Sequence, residues 1–490
     1  MRILLVDLPP LIIPGVRDQL GSRHEMIMLD GVTLDRDACA AHAEVDLVIH
    51  AVQDHDDPAT MIDTATRGTW NLLTTTSARR YLQLSTLRLL DDYDPGWAVD
   101  EAWAPRPDDD PVRLSAQLAE LASREISRTT MINVKVLRLD RVLAAADFDR
   151  SPTGPDWLHV DDAVGYTVRA AECLIEEPDR PGWTVLHAVR GPGRFRTRGD
   201  LGFRPAHPGD PTPAGPAPQP PAEPGPVRVP AAGRPVIFGA GGPLGASAAE
   251  QLAAVPGLTA TLTDVRPLAE LAARAPQSPG APLPAPARPP HSERLVDVTD
   301  QDQVLQAATG ADCLINCTVI RHDVDAAFRV NVLGAYAIMK AAVEHGIRRV
   351  VQTGPAQVLL ADPIGYASDR AVRPDTPARA GSAIYFLSKL LGSEICRIFA
   401  ERYGIATPVL LFETLIAPTA TDGWTSPFMI SWPDAGRAIR AAATVPELPE
   451  PCPVLHVRAP SPHGRYRADG LAEVLGWQPE DSLDHRWARP

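Results

Sequence analysis

Short apolar runs alternate with amphipathic stretches along most of the chain. RILLVDL opens it and PPLIIPGVRDQLG follows; VDLVIHAV at 45–52 precedes TRGTWNLLTTTSA, and RRYLQLSTLRLL fills 79–90. A similar order returns later as RPVIF, ASAAEQLAAV, TATLTD, ADCLINCT at 311–318, NVLGAYAIMKAAVEHG and RRVVQTGPAQVLL at 348–360. The runs are short and apolar throughout, not at alternate positions, which marks strands covered on both faces. The stretches between them carry apolar residues at spacings of three and four, as helices do. Strands alternating with helices predict an α/β fold of the doubly wound, parallel-sheet kind, and the faint repetition predicts two such units in tandem.

Between the halves, residues 205–230 (PAHPGDPTPAGPAPQPPAEPGPVRVP) are dominated by proline, which fixes φ and removes the backbone donor. The segment is expected to be an extended linker of polyproline II character. The expected organisation is a first unit over 1–204, a linker over 205–232 and a second unit over 233–490. A second proline-rich stretch, Ala275–Pro290, falls between Asp264 and Asp297 and is expected to be a surface insertion.

Composition narrows the function. The 490 residues are 44% apolar and 22% charged, which excludes wholesale disorder. The net charge of −14 opposes nucleic acid and anionic membranes as partners. Six cysteines (Cys39, Cys173, Cys313, Cys317, Cys396, Cys452) are scattered with no CxxC and no Cys/His ligand spacing, so neither a disulfide framework nor a metal site is expected. Cys313 and Cys317 are expected as small core residues, Asp108–Asp110 as solvated loop, and the nine tryptophans as packing. MRILLVDLPP lacks a cleavable signal pattern and no run of about 18 apolar residues is evident, so the chain is expected to be cytoplasmic. Only three lysines occur among 47 basic residues: Lys135, Lys340 and Lys389.

Two constellations carry chemistry. Gly239, Gly242 and Gly245, with Pro243 and Leu244 between the last two, form a GxxGxxG turn from the strand RPVIF into a helix. The first glycine permits the tight turn, the second lets a pyrophosphate approach the backbone, and the third lets helix pack on strand. Asp264 ends the next strand 19 residues beyond Gly245, where a carboxylate takes ribose hydroxyls and favours NAD; Arg266, two residues on, keeps NADP open. The second constellation is Tyr385 and Lys389, four apart on a helix and so on one face, where a cation prepares a phenol to exchange a proton with a hydroxyl or carbonyl. Tyr336 and Lys340 share that spacing inside an ordinary amphipathic helix.

With these residues in place, the sequence resembles the extended short-chain dehydrogenase/reductase family of NAD-dependent sugar epimerases, dehydratases and dehydrogenases, over most of both halves. In family order the second half supplies the glycine turn, Asp264, Asp297-Val298, Asn331-Val-Leu-Gly334, Thr353-Gly-Pro and Tyr385/Lys389; Tyr336 precedes the Thr353 strand and falls outside the pattern. The resemblance implies that Tyr385 is the general acid/base, that Lys389 holds the nicotinamide ribose and lowers the tyrosine pKa, that Asn331 supports the relay, and that Asp297 and Val298 touch adenine. The family's substrate-polarising serine falls on Pro355, which offers no hydroxyl and no N–H; Thr353, on the same strand face, is the hydroxyl left to replace it. PVLLFETLIAP at 408–418 lacks the family's Arg-Pro. Asp434 in MISWPDAGRAIRAA stands where the family has paired acids, and LGWQPEDS at 475–482 matches its closing segment; with TDVRP this tail is most similar to the uronate dehydrogenase branch.

The first half departs further. Asp7, Pro10 and Ile13 stand where glycines belong, Arg113 and Gln117 replace Tyr and Lys, and Ala65 replaces Asn. Thr86 keeps the serine position as a structural threonine, and WLHVDDAVGYTVRAAE at 157–172 keeps the late His-Val-Asp-Asp segment with His159 packed on the sheet. A carboxylate at the turn repels pyrophosphate. The expected function is hydride transfer at a sugar-like carbinol or carbonyl in the second half. The first half would be a non-catalytic pseudo-partner paired with it inside one chain, since the family commonly dimerises through two long helices. The alternative is a catalytically impaired NAD(P)-binding or structural module that engages a protein partner.

Overall fold

The structure, a computed structural model, describes residues 1–150, 157–191, 193–209, 225–276, 278, 280–358, 376–421, 425–462 and 470–487. The chain forms two compact units, Met1–Ala222 and Glu223–Pro490. The first is built on six strands, β1 (Arg2–Val6), β2 (Glu25–Leu29), β3 (Leu47–Ala51), β4 (Arg80–Thr86), β5 (Asn133–Leu139) and β6 (Gly182–His187), in the order β2-β1-β3-β4-β5-β6. Every pairing is parallel. All residues of β3 and β5 are buried, the two-sided cover that their unbroken apolar runs require. The chief covering helices are α1 (Ile13–Gly21), α2 (Thr69–Thr75), α3 (Pro111–Ser127) and α4 (Val160–Glu176).

The second unit repeats this order with one more strand at an edge. Its strands are β7 (Pro235–Phe238), β8 (Thr261–Asp264), β9 (Ser292–Leu295), β10 (Cys313–Asn316), β11 (Val350–Pro355), β12 (Val409–Phe412) and β13 (Val454–His456), in the order β9-β8-β7-β10-β11-β12-β13, again all parallel. Its main helices are α5 (Pro243–Ala253), α6 (Gly334–Glu344), α7 (Ile384–Tyr403) and α8 (Trp432–Thr444). In both units a π-helical turn leads into the helix after the strand that pairs with the opening one on its far side, β3 and β10, at Thr64–Gly68 and at Arg329–Leu333. The stretch Val324–Glu344 is long and apolar enough to cross a membrane, which the sequence reading did not register; its burial within the unit is that of a core helix.

Both units anchor a late helix in the same way. Asp434, in the first turn of α8, is fully buried and accepts the backbone N–H groups of Glu480 and Asp481, so it fastens the closing segment to the fold. Asp162, in the first turn of α4, accepts those of Ala206 and His207. His159 is buried before α4, accepts the N–H of Asp161 and stacks on His207 with ring centroids 3.8 Å apart. Both ends of the expected linker are therefore bound into structure. Ala206 and His207 join the first unit, while Val227–Arg228 pairs antiparallel with Glu447–Leu448 and Ala232 donates to the Ala443 carbonyl. Val227, Val229 and Ala232 join the second core, because the few apolar residues at the end of the proline run can be buried. Residues 210–224 of the linker lie outside the described residues.

One local expectation changes. Asp108 and Asp110 are not free loop: Asp110 caps α3 by accepting the N–H of Arg113, and Asp108 pairs with the Arg113 guanidinium. Thr86, read as a structural threonine, caps the following turn by accepting the N–H of Arg88. Trp97 and Trp103, apart in sequence, converge on Tyr93 in a satellite cluster.

The helix that carries Tyr385 and Lys389 is set by a backbone contact. A Cβ on Gly392 would stand 2.1 Å from the carbonyl oxygen of Asn331, so α7 rests against the π-helical turn with no side chain between them. Gly392→Ala is expected to destabilise the second unit by about 3 kcal/mol through overpacking, read as a lower urea midpoint at unchanged slope.

Candidate active site

The strand order of the second sheet reverses between β7 and β10, which opens a crevice at the carboxyl ends of those strands. Gly239 closes β7 at φ +78°, and a Cβ there would lie 2.9 Å from both the Cys317 carbonyl carbon and the Thr318 nitrogen. Only glycine permits this approach. The chain then turns so tightly that a Cβ on Gly245 would lie 2.2 Å from the Gly239 oxygen, while at Gly242 the nearest atom would be 3.5 Å away. The second glycine therefore leaves room where a pyrophosphate would approach, and α5 begins at Pro243 with the N–H groups of its first turn, including those of Leu244 and Gly245, facing that side. These residues fit a dinucleotide.

The turn holds a glycine that the sequence reading passed over. The Gly241 N–H donates to Asp264 Oδ2 at 2.9 Å, and a Cβ on Gly241 would collide with that carboxylate. Burial raises the pKa of Asp264, opposed by hydrogen bonds from Gly241, Val265 and Arg266 backbone groups. Arg266 is exposed and turned to Glu270, 3.5 Å away. Asp297 accepts the N–H and hydroxyl of Thr299, and Val298 is buried against the start of α6 near Gly334. Asp297 thus shapes its own loop and Val298 spaces a helix, which short side chains after a strand do readily.

Tyr385 is half-buried in the first turn of α7, and Lys389, 2% exposed, lies one turn further on. Lys389 Nζ lies 3.3 Å from the Thr318 carbonyl oxygen, on the loop after β10. Burial pulls its pKa down to about 8, with the neighbouring Cys317 and Cys396 thiols opposing and Arg321 adding to the fall. Both thiols are pushed up to about 12 by burial. For Tyr385 burial comes first and raises the pKa; the opposing influence is Arg321, through its charge and a hydrogen bond. The Arg321 guanidinium carbon stands 5.3 Å from the tyrosine ring centroid. Arg321 is thus a cation at the phenol that the sequence reading did not name, beside the Lys389 it did. Position 321 carries no mark in a chain that uses arginine almost everywhere, so its sequence gave no signal.

Asn331 has a different task from a proton relay. It is 1% exposed, accepts the N–H of Ile320 at 3.2 Å, and donates to the Ile320 carbonyl at 2.8 Å and to Ser388 Oγ at 2.9 Å. It pins the loop that carries Arg321 to the helix that carries Tyr385. Thr353 is 4% exposed and donates its hydroxyl proton to the Asn316 carbonyl at 2.7 Å, so that proton is committed within the sheet. Pro355 ends β11 beside Phe412. The hydroxyl expected to replace the missing serine does not present its proton.

In the first unit the corresponding places hold other chemistry. Asp7 takes φ +51° where the second unit has Gly239, and its carboxylate accepts the Gly31 N–H at 2.6 Å. Burial comes first in raising the pKa of Asp7. Arg113 is tied to Asp108, and no proton-exchanging pair faces the strand ends at Arg113 and Gln117.

Lys389 links function to stability. Its folded pKa lies below its ordinary value of 10.5, so stability is complete above that value, falls as pH drops toward about 8, and stays reduced at neutrality. Lys389→Met removes a penalty of about 3 kcal/mol at pH 7 and loses one hydrogen bond worth about 1 kcal/mol. Denaturant titration is expected to show a variant more stable at pH 7, with an advantage that vanishes above pH 10.5.

Residues 236–432 match the NAD dependent epimerase/dehydratase family. Over 127 residues the chain is 29% identical to the uronate dehydrogenase of Pseudomonas putida, covering 25% of this chain and 45% of that protein. The uronate dehydrogenase of Pseudomonas syringae pv. tomato gives the same identity over 127 residues, with 44% of its length covered. The match thus spans under half the length of these curated relatives. Among solved structures, uronate dehydrogenase from Agrobacterium tumefaciens aligns with a TM-score of 0.40 at 23% identity, covering 51% of this chain and 84% of that one. Glucuronic acid dehydrogenase from Chromohalobacter salexigens aligns with a TM-score of 0.43 at 20% identity, covering 51% and 85%. The C-terminal part of this chain is similar to the NAD dependent epimerase/dehydratase family.

Proposed function

We propose that the second unit is an NAD-dependent oxidoreductase that moves a hydride to or from a carbinol or carbonyl carbon of a sugar-like substrate, with uronic acids the first class to try. The observation that carries this reading is the placement of Tyr385 beside a cation and Lys389, on the sheet whose carboxyl edge also holds the open Gly239–Gly245 turn. The turn and Asp264 hold the dinucleotide through backbone N–H groups and a ribose-facing carboxylate. When bound, NAD supplies the hydride acceptor or donor. Tyr385 takes the hydroxyl proton of a carbinol as its C–H hydride leaves, or returns it to a carbonyl oxygen in the reverse direction. Lys389, whose Nζ is 3.3 Å from the Thr318 carbonyl oxygen, would hold the nicotinamide ribose of a bound NAD. The first unit, with a carboxylate at its turn and no Tyr/Lys pair, is non-catalytic in this proposal.

Two features favour a second reading, an NAD-binding module with impaired chemistry. Pro355 has no donor, and the Thr353 proton is committed to Asn316. Two measurements separate the readings. Calorimetric titration with NAD⁺ is expected to show one site per chain, abolished by Gly242→Asp, which fills the opening beside the Gly239 carbonyl. NADH formation on a panel of aldoses and uronic acids that includes D-glucuronate is expected to fall about 100-fold or more in Tyr385→Phe. Binding of NAD⁺ without turnover of any panel member would favour the module.

A further inference from the structure

The proposed reaction needs a donor that polarises the substrate oxygen opposite the tyrosine, and β11 does not provide one. The loop after β10 does. Its course is fixed from both sides: Asn316 Oδ1 accepts the N–H and hydroxyl of Thr318 at 3.1 and 2.7 Å, and Asn331 brackets the backbone of Ile320. Arg321 is the next residue, so its backbone is anchored while its side chain reaches over the Tyr385 ring. The rest of its surface is open to solvent. Among the described residues no carboxylate forms an ion pair with Arg321, whereas Arg397 and Arg437 in the same unit are each held by two or more acids.

We propose that Arg321 is a catalytic residue that supplies the donor absent at Pro355, holding the substrate oxygen together with Tyr385. The assignment rests on the oxidoreductase reading above. An oxygen that exchanges a proton with Tyr385 sits within about 3 Å of its hydroxyl. A guanidinium whose central carbon stands 5.3 Å from the tyrosine ring centroid reaches the same oxygen with one of its five N–H groups. In the oxidation direction it stabilises the alkoxide character that grows as hydride leaves; in the reverse direction it polarises the carbonyl. It remains protonated throughout, so the proton still passes between substrate oxygen and Tyr385. Among the described residues, the charged and titratable groups around the phenol are Arg321 from the loop, Lys389 from the next turn of α7 and, neighbouring Lys389, the neutral thiols of Cys317 and Cys396.

The test has an arm that needs neither cofactor nor substrate. Ultraviolet difference titration of the full chain, with Tyr385→Phe as reference, reads ionisation of this one phenol. Its midpoint is expected to rise by about one pH unit in Arg321→Met and to rise less in Arg321→Lys, which keeps the charge without the fork; circular dichroism checks that both variants fold. An unchanged midpoint in both would overturn the assignment. On whichever panel sugar the wild type turns over fastest, Arg321→Met is expected to lower kcat about 100-fold with the affinity for NAD⁺ unchanged, and Pro355→Ser added to it is expected to restore at least about tenfold. Wild-type turnover matched by Arg321→Met would sink the Arg321 role alone. A wild type that binds NAD⁺ and turns over nothing would sink the oxidoreductase reading on which the role rests.

Discussion

The second unit depends on backbone meeting backbone at the crevice between β7 and β10. Gly239 approaches the Cys317–Thr318 peptide so closely that no side chain fits, and Gly245 does the same to Gly239. These contacts draw the loop after β10 against the glycine turn. The same loop offers the Thr318 carbonyl to Lys389 and the Ile320 backbone to Asn331. Asn331 in turn reaches Ser388 on α7, and Gly392 lets that helix rest on the π-helical turn. The cofactor turn, the tyrosine helix and the arginine loop are therefore parts of one continuous set of short contacts, with few rotatable bonds between them, and this pre-orders the site.

The first unit shows a similar strand order built around different side chains at the turn. Its turn tolerates Asp7 at a positive φ because the carboxylate finds the Gly31 N–H. In the second unit the acid lies on the neighbouring strand and reaches back to the turn, as Asp264 does to Gly241. Under α3 the first sheet carries a buried polar layer. Glu120 and Arg138 form a two-point ion pair at 2.9 and 2.7 Å, Ser85 donates to the same carboxylate, and Ser123 donates to Gln83. A buried pair of this kind adds little net stability but penalises any packing that would separate the partners. His50, fully buried with its Nδ1 2.5 Å from the Tyr81 hydroxyl, is held neutral, its pKa lowered to about 3 by burial. Such a layer commits most of its side-chain polar atoms to one another, while His50 Nε2, Gln83 Nε2 and Arg138 Nη1 have no hydrogen-bond partner among the described residues.

Buried charge at the crevice of the second unit comes at a cost in stability. Lys389 and Tyr385 both bear a burial cost that a packed hydrophobic pair would avoid. The sheet and helices around them supply the compensation, with a core that runs from Ile237 and Ala248 through Ile315 and Leu410 to Ile439.

The sequence alone determined the architecture, because unbroken apolar runs of five to seven residues can be buried only between two layers of helix, and the glycine spacing can be read without coordinates. It also located Tyr385, Lys389, Asp264, Asp434 and the loss of the first turn, since each is a residue type at a fixed interval. What it could not determine were contacts between residues distant in sequence. That Gly241 must be glycine follows from where the Asp264 carboxylate comes to rest; that Thr353 withholds its proton follows from the neighbouring strand's Asn316 carbonyl. Asn331 is a clamp because a loop eleven residues earlier folds back onto it, and Arg321 became a cation at Tyr385 through a loop-to-helix approach that no spacing rule encodes. Even the ends of the proline run were decided this way, as Val227 and Ala232 gained a core to enter. Periodicity and backbone propensity act along the chain, whereas proton ownership, local charge and close approach are set by atoms that only folding brings within a few ångströms.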